Sequence, residues 1–526
     1  MGRYVIKRLL HGLFSTVMVI FIVMILVYGL MDRMKIFKTD GQFTKQLNNQ
    51  RVTYMHQKWE EYGYLDYLPY SDYLAMLQES GEIDEAARSA LSSIGRSADG
   101  SDDSPEVAEY VAKFNDYCRE EGYTVTRLDA IISKNRLATG GGQVLFAYKE
   151  KNVLSRLWKY FTGIFEIDNI HKVPEDQDIG ERGLTFTLYD PVYGGEKFSP
   201  AIIGNGTIHR YLLYFDDQFP YIHQNFLNLH LGASYSVTRG VEVFNSMTQG
   251  QGSYRQFPLT YPTGLTENSA DNLHTAVYVA GSREANVMYQ QRYTDDYTNV
   301  QTFRNNKSRM GYSFVIGIIS TLLVYLLGLP IGVLMARYKE GLLDKFGTLY
   351  IMFISAVPSL AYIFIFKGIG RAMGLPWTFD MDAETRLMYV LPIVSLALPS
   401  IAGMMKWMRR YMIDQMNSDY VKFARAGGMS ETEIFFKHVM KVAAIPIFQG
   451  IPGSLLFAMT GALITERVYL VPGAGGLLID AINQYDNSVI VGVTLFYTVL
   501  SVLSLILGDV VMATVDPRIS FTEKAR

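Results

Sequence analysis

The groups able to do chemistry in this chain are few, and their spacing argues against most of it. His56, His171, His209, His223, His230 and His274 fall in one polar stretch, with no H-E-x-x-H or other close metal spacing. The lone cysteine, Cys118, excludes an intramolecular disulfide and reads as a small buried hydrophobe. Neither a Ser-His-Asp arrangement nor paired carboxylates stand out, and no G-x-x-x-x-G-K-[ST] loop is present to cradle a phosphate. The expectation is a chain with no catalytic residue, no metal and no nucleotide of its own. What remains is mechanical. Asp419-Tyr-Val-Lys-Phe-Ala-Arg-Ala-Gly-Gly-Met-Ser-Glu431 reads as a short helix over Asp419–Ala426, a glycine break at Gly427 and Gly428, and a new helix start. There Ser430 and Glu433 have capping-box spacing. Farther on, Glu466 follows an apolar run, where an acid is costly unless it is paired or faces water. Pairing with Arg467 and a place facing a water-filled path are both open. Pro472-Gly473 with Gly475-Gly476 reads as a tight turn just beyond it.

The elements that must position these groups are membrane helices. Apolar residues make up 49% of the chain, but unevenly: residues 1–31 and 311–515 carry long apolar runs, while 32–308 reads as water-soluble. Crossing the hydrocarbon core takes about 20 apolar residues. Six segments qualify, at about 8–31, 311–336, 346–369, 386–404, 444–465 and 488–512, the fifth being interrupted by Pro446 and Pro452. The first is too long for a signal peptide and lacks an A-x-A site, so it is expected to be retained. Lys and Arg crowd the N-terminus (Arg3, Lys7, Arg8), the second-to-third loop (Arg337, Lys339, Lys345), the fourth-to-fifth loop (Lys406, Arg409, Arg410, Lys422, Arg425, Lys437, Lys441) and the tail (Arg518, Lys524, Arg526). By the positive-inside bias both termini and the elbow are cytoplasmic and 32–308 is extracellular. Arg409 and Arg410 read as positive-inside anchors.

Within 32–308 the composition is mixed. Residues 67–94 and 104–122 are helix-like, Thr185–Tyr189 and Tyr211–Phe215 are strand-like, and Asp190-Pro191 and Gly194-Gly195 are turns. Ser92 to Ser104 reads as a flexible connection. A net charge of −3 gives no reason to expect nucleic acid.

The chain also resembles a family. Arg3-Tyr-Val-Ile-Lys-Arg-Leu-Leu10, Leu231-Gly-Ala-Ser234 with Gly240-Val-Glu-Val243, Pro330, Ala336-Arg337, Val357-Pro-Ser359, Leu391-Pro392, Leu398-Pro399, the elbow, Thr465-Glu466, Pro472-Gly-Ala-Gly475, Asp486 and Asp516-Pro-Arg518 recur in that order. The pattern is similar to ABC importer permeases of the oligopeptide/dipeptide/nickel branch, in particular their B-type subunits. Met440-Lys441 stands where the broader family has Leu-Pro, which suits the peptide branch. The resemblance implies an all-α polytopic bundle of six transmembrane helices, type I-like, here with a large mixed α/β extracellular domain between helices 1 and 2.

That division gives 1–31, the insert 32–308, helices 309–515 with a coupling segment at 405–443, and a cytoplasmic tail at 516–526. The resemblance further implies a permease subunit of an ATP-driven oligopeptide importer in the cell membrane. Phe423, Ala424, Arg425, Ala426, Gly428 and Ser430 would meet the ATPase, and Glu466, Pro472, Gly473 and Gly475 would line the pathway or its gate. The implied partners are a second homologous permease, two cytoplasmic ATPases that bind the ATP, an extracellular peptide-binding protein, peptide and lipid. The insert is far longer than the family's usual outer loop; its size, Tyr content and position fit a docking platform for the binding protein, or else a self-contained domain that shields or stabilises the permease. The alternatives are a nickel or oligosaccharide importer permease, or a membrane-anchored ectodomain receptor or adhesin.

Overall fold

Long apolar runs become long helices because a backbone without water must bond to itself. The computed structural model describes residues 2–515 except 96, 130–131, 134–135, 138–144, 176–178, 190–197, 199, 216–221, 382, 384, 459–461, and all of 249–306 but Gln251 and short strands. The tail 516–526, the turns at Asp190-Pro191 and Gly194-Gly195, and His274 lie outside the described residues.

Among the described residues four helices are long and apolar enough to cross a membrane: Tyr4–Gly29, Arg309–Arg337, Arg386–Met416 and Asn487–Val515. Two bent pairs bring the number to as many as six. The segment expected at 346–369 is not one rod. Helices Leu342–Ala356 and Ser359–Ala372 meet at 111°, because Val357 precedes a proline and is held extended (φ −87°, ψ 130°). The segment expected at 444–465 bends by 45° where Ile445–Leu456 follows Glu431–Ala443. A separate helix, Leu463–Tyr469, carries Glu466. The second span packs chiefly on the fourth, and the sixth on the first and fifth. Tyr4 Oη (2.9 Å) and Arg8 (3.1 Å) both reach Asp509, joining the first and sixth spans at the end away from the insert.

Between the first and second spans, helices Tyr70–Glu79, Glu85–Leu91 and Pro105–Glu121 cover an antiparallel sheet in which strand Leu145–Glu150 lies between Leu65–Pro69 and Thr124–Arg127. Cys118 is fully buried in that layer with Phe114 and Leu74. A second antiparallel sheet includes the strands Gly183–Thr187 and Tyr211–Phe215, close to the strand-like runs read from sequence. The segment Ser92–Ser104, expected to be a flexible connection, is tied down instead. Arg127 grips both oxygens of Asp103 at 2.6 and 2.7 Å, and the Gly95 amide donates to the same carboxylate at 2.6 Å.

One clasp seats the insert on the bundle. Asp486, wholly buried just before the sixth span, accepts from Ser234 Oγ (2.6 Å), the Ser236 amide (2.9 Å) and the Val237 amide (3.1 Å). Asn487 Nδ2 donates to Tyr64 Oη at 2.5 Å. Around this seam Tyr62 stacks on Tyr235 at 4.0 Å, and Arg156 lies over Tyr28 and Tyr64 at 3.7 and 4.2 Å.

Candidate functional site

The elbow is built as its sequence dictates. Helix Asp419–Ala426 ends at Gly427, and Gly428 takes φ +82°, a conformation that costs an L side chain about 1–2 kcal/mol. Ser430 then caps the next helix, accepting from the Glu433 amide at 3.3 Å. The expected capping box is half-closed, since Glu433 turns forward to Lys437 (2.7 Å) rather than back. Across the break Arg425 and Glu431 pair at 2.5 Å.

The two faces of the elbow differ. Val421 is 1% exposed, packed in a cluster with Val333 and Ala336 of the second span, Met408 and Met412 of the fourth, and Phe435. Phe423 is 78% exposed, and Arg425, Ala426, Gly428 and Ser430 are exposed beside a half-buried Ala424. Arg337 donates to Thr432 Oγ1 at 3.0 Å, tying the foot of the second span to the helix beyond the break. Sequence reasoning missed a further brace. Arg409 holds both oxygens of the buried Asp344 at 2.5 and 2.8 Å, so this arginine pins the start of the third segment to the fourth span. Arg410 stays exposed near Asp414.

At the insert end, Glu466 is buried and does not pair with Arg467, which bonds Asp480 at 2.9 Å. Its partners are donors around the turn that follows. Oε1 accepts from Ser313 Oγ (2.7 Å) and the Ala462 amide (3.2 Å), and Oε2 from the Gly476 amide (3.2 Å). Ser313 Oγ in turn accepts from the Ala474 amide at 2.8 Å. Glu466 and Ser313 thereby satisfy free N–H groups opening helix Ala474–Asn483, where an acid is also favoured by the helix dipole. Gly473 has an ordinary extended backbone. Its lack of a side chain serves close approach, because a Cβ there would run into the Glu466 carboxylate. A Cβ at Gly475 would meet both that carboxylate and the Leu463 backbone. Pro472 accepts from Gln251 Nε2 through its carbonyl at 2.8 Å. The structure thus gathers Glu466, Pro472, Gly473 and Gly475 into one buried hairpin, 

with the elbow residues as a separate group on helix Asp419–Ala426 and the turn after it.

Between these regions lies a cavity of about 310 Å³ among the second, fourth and fifth segments. Ser313, Ser320, Thr321, Tyr325, Ser400 and Ser454 line it, with apolar neighbours and no charged residue. Most of these hydroxyls already bond within the protein: Ser320 donates to the Ile393 carbonyl (3.1 Å) and Tyr325 meets Ser454 (3.2 Å). Each keeps a lone pair for a passing group. Sequence reading overlooked this stripe. Its signal was present in the second span, where Ser313, Gly317, Ser320 and Thr321 recur at helical spacing. Among the described residues no three His, Cys, Asp or Glu come close enough to hold a metal ion.

A family model described as binding-protein-dependent transport system inner membrane component matches residues 328–521. The chain is 34% identical over 530 residues to the oligopeptide transport system permease protein AmiC of Streptococcus pneumoniae, covering 100% of this chain and 99% of that protein. It is 31% identical over 230 residues to the dipeptide transport system permease protein DppB of Lactococcus lactis subsp. cremoris, covering 42% of this chain and 73% of DppB. It is 29% identical over 225 residues to the oligopeptide transport system permease protein AppB of Bacillus subtilis, covering 41% and 71%. The likeness to AmiC therefore runs through the insert, whereas those to DppB and AppB span about two-fifths of the chain.

Proposed function

This chain belongs to the oligopeptide and dipeptide permease branch of the binding-protein-dependent transport system inner membrane components, and on that premise we propose how its parts divide the work of import. The substrate is a peptide. The chain contributes half of the translocation pathway, a second homologous permease the other half, and two cytoplasmic ATPases bind and hydrolyse the ATP. Both termini and the elbow face the cytoplasm. The insert 32–308 faces outward, where it receives an extracellular peptide-binding protein.

The observation that carries this reading is the two-faced elbow. Val421 is sunk between the second and fourth spans, while Phe423 on the same short helix is largely exposed among the described residues. A short helix gripped on one face and free on the other transmits a push. When the ATPases close, Phe423, Ala424, Arg425, Ala426, Gly428 and Ser430 move with them, and Val421 carries the displacement to the span bases. The Asp344–Arg409 brace makes the third segment follow the fourth. At the other end the Glu466 hairpin, with Pro472, Gly473 and Gly475, acts as the gate. The hydroxyl-lined cavity gives peptide amides weak, interchangeable partners, which suits cargo of varied sequence.

The test is a photo-crosslinking residue in place of Phe423 in the assembled complex. It should join this chain to an ATPase subunit, with a yield that changes between nucleotide-free and ATP-bound states. An active complex in which that position never crosslinks to an ATPase would end the coupling assignment.

A further inference from the structure

Helix Val153–Gly163 has two apolar faces, and among the described residues only one is covered. Val153, Leu157, Tyr160, Phe161 and Ile164 pack against Ile20, Met24 and Val27 of the first span. A second stripe, Leu154 and Trp158, continues into Phe165 and Ile167 of the strand that follows. These four side chains are 64%, 73%, 62% and 62% exposed. Four large adjoining apolar groups left in water form a patch rather than the scattered exposure of an ordinary surface.

Their position says what covers them. The first span has 26 residues, about 39 Å at 1.5 Å per residue, against a hydrocarbon core of about 30 Å. Its last turns, which the helix grips, therefore reach the headgroup layer. On the same turns Ile22, Ile25 and Leu26 are exposed, an apolar surface of the kind a membrane helix offers to lipid. Tryptophan favours that layer. Of the chain's 4 tryptophans, Trp59 is buried, and Trp377 and Trp407 stand beside cations near the ends of membrane segments.

We propose that Val153–Gly163 and the strand Phe165–Ile167 form a lipid anchor of the insert, with Leu154, Trp158, Phe165 and Ile167 seated in the bilayer interface beside the first span. The insert is thereby held to the membrane as well as to the bundle, in the manner of an interfacial amphipathic helix.

The test uses the assembled complex in lipid nanodiscs with a bimane label on Trp158→Cys, on Leu154→Cys, or, as a control, on Glu109→Cys of the distant helix Pro105–Glu121. Lipids brominated at acyl carbons 6 and 7 should quench the 158 and 154 labels at least 1.5-fold, and more than lipids brominated at carbons 11 and 12. Aqueous iodide should quench only the 109 label. Iodide quenching at 158 and 154 without bromolipid quenching would place the face in water, and quenching by neither would mean a protein partner covers it. Stronger quenching by the deeper bromines would put the face in the core rather than the interface. Each of these three results overturns the proposal.

Discussion

Ser313 Oγ donates to Glu466 Oε1 at 2.7 Å and accepts from the Ala474 amide at 2.8 Å. One hydroxyl on the second span thus holds both arms of the hairpin around Pro472 and Gly473. The same serine lines the cavity below. A shift of the second span therefore reaches the hairpin directly, with no intervening side chain.

Glu466 serves three donors as an acceptor, and glutamine would set an NH₂ group against an N–H. Glu466→Gln should destabilise the hairpin by about 1–3 kcal/mol, lowering both the melting temperature of the purified complex and peptide uptake. Arg467→Ala, which removes only a half-exposed pair with Asp480, should cost no more than about 1 kcal/mol. Normal melting and uptake in Glu466→Gln would refute the role of Glu466 in holding the hairpin.

Gly428 has open space around it, so only its backbone angle resists substitution. Gly428→Val should cost about 1–3 kcal/mol of local strain and reduce uptake and substrate-stimulated ATP hydrolysis together. Gly428→Asn, which tolerates the left-handed region, should be milder. Equal activity of both variants with the parent would show that the turn plays no part in coupling.

Asp486→Ala leaves the buried Ser234 hydroxyl and the half-buried Ser236 and Val237 amides without their acceptor, at about 1–3 kcal/mol for the buried donor and less for the others. Because 1.4 kcal/mol is tenfold in an equilibrium, limited proteolysis within 231–243 should speed up by about tenfold or more in the full complex. An unchanged cleavage rate would remove Asp486 as the fastener of the insert.

The Arg127 guanidinium, bonded to both oxygens of Asp103, holds that carboxyl below its usual range, with burial opposing it. A carboxyl lowered in the folded state contributes stability above its unfolded pKa of about 4 and loses it as pH falls through the lowered value. Protection of the Gly95 amide, corrected for intrinsic exchange, should therefore drop below about pH 4, and Asp103→Asn should remove that pH dependence. The same acid profile in the variant would mean another group governs the loop.

Local signals carried well from sequence. The helix Asp419–Ala426, the positive φ at Gly428 and the Ser430 cap each depend on a few neighbouring residues, and all were readable there. The apolar runs located the spans, but a proline effect decides whether a run stays straight. Val357-Pro358 produced a 111° bend that composition alone does not disclose. The sequence leaves pairing of Glu466 with adjacent Arg467 open, and the donor that takes that place, Ser313, lies 153 residues earlier. Asp344 with Arg409 and Asp103 with Arg127 escaped for the same reason: pairing across tens of residues leaves no periodic trace.

The Asp486 clasp also imposes an order on biogenesis. Ser234 leaves the ribosome 252 residues before its acceptor, a lag of roughly 10–50 s at 5–20 residues per second. Through that interval Ser234, Ser236 and Val237 lack their acceptor and the Tyr64 hydroxyl lacks Asn487, so the seam is held only by contacts to the first span such as Arg156 over Tyr28. Closure waits for the last span to enter the membrane. A nascent chain that stalls or loses that span keeps its seam open to proteases, so the final helix doubles as a completion signal for the whole protein.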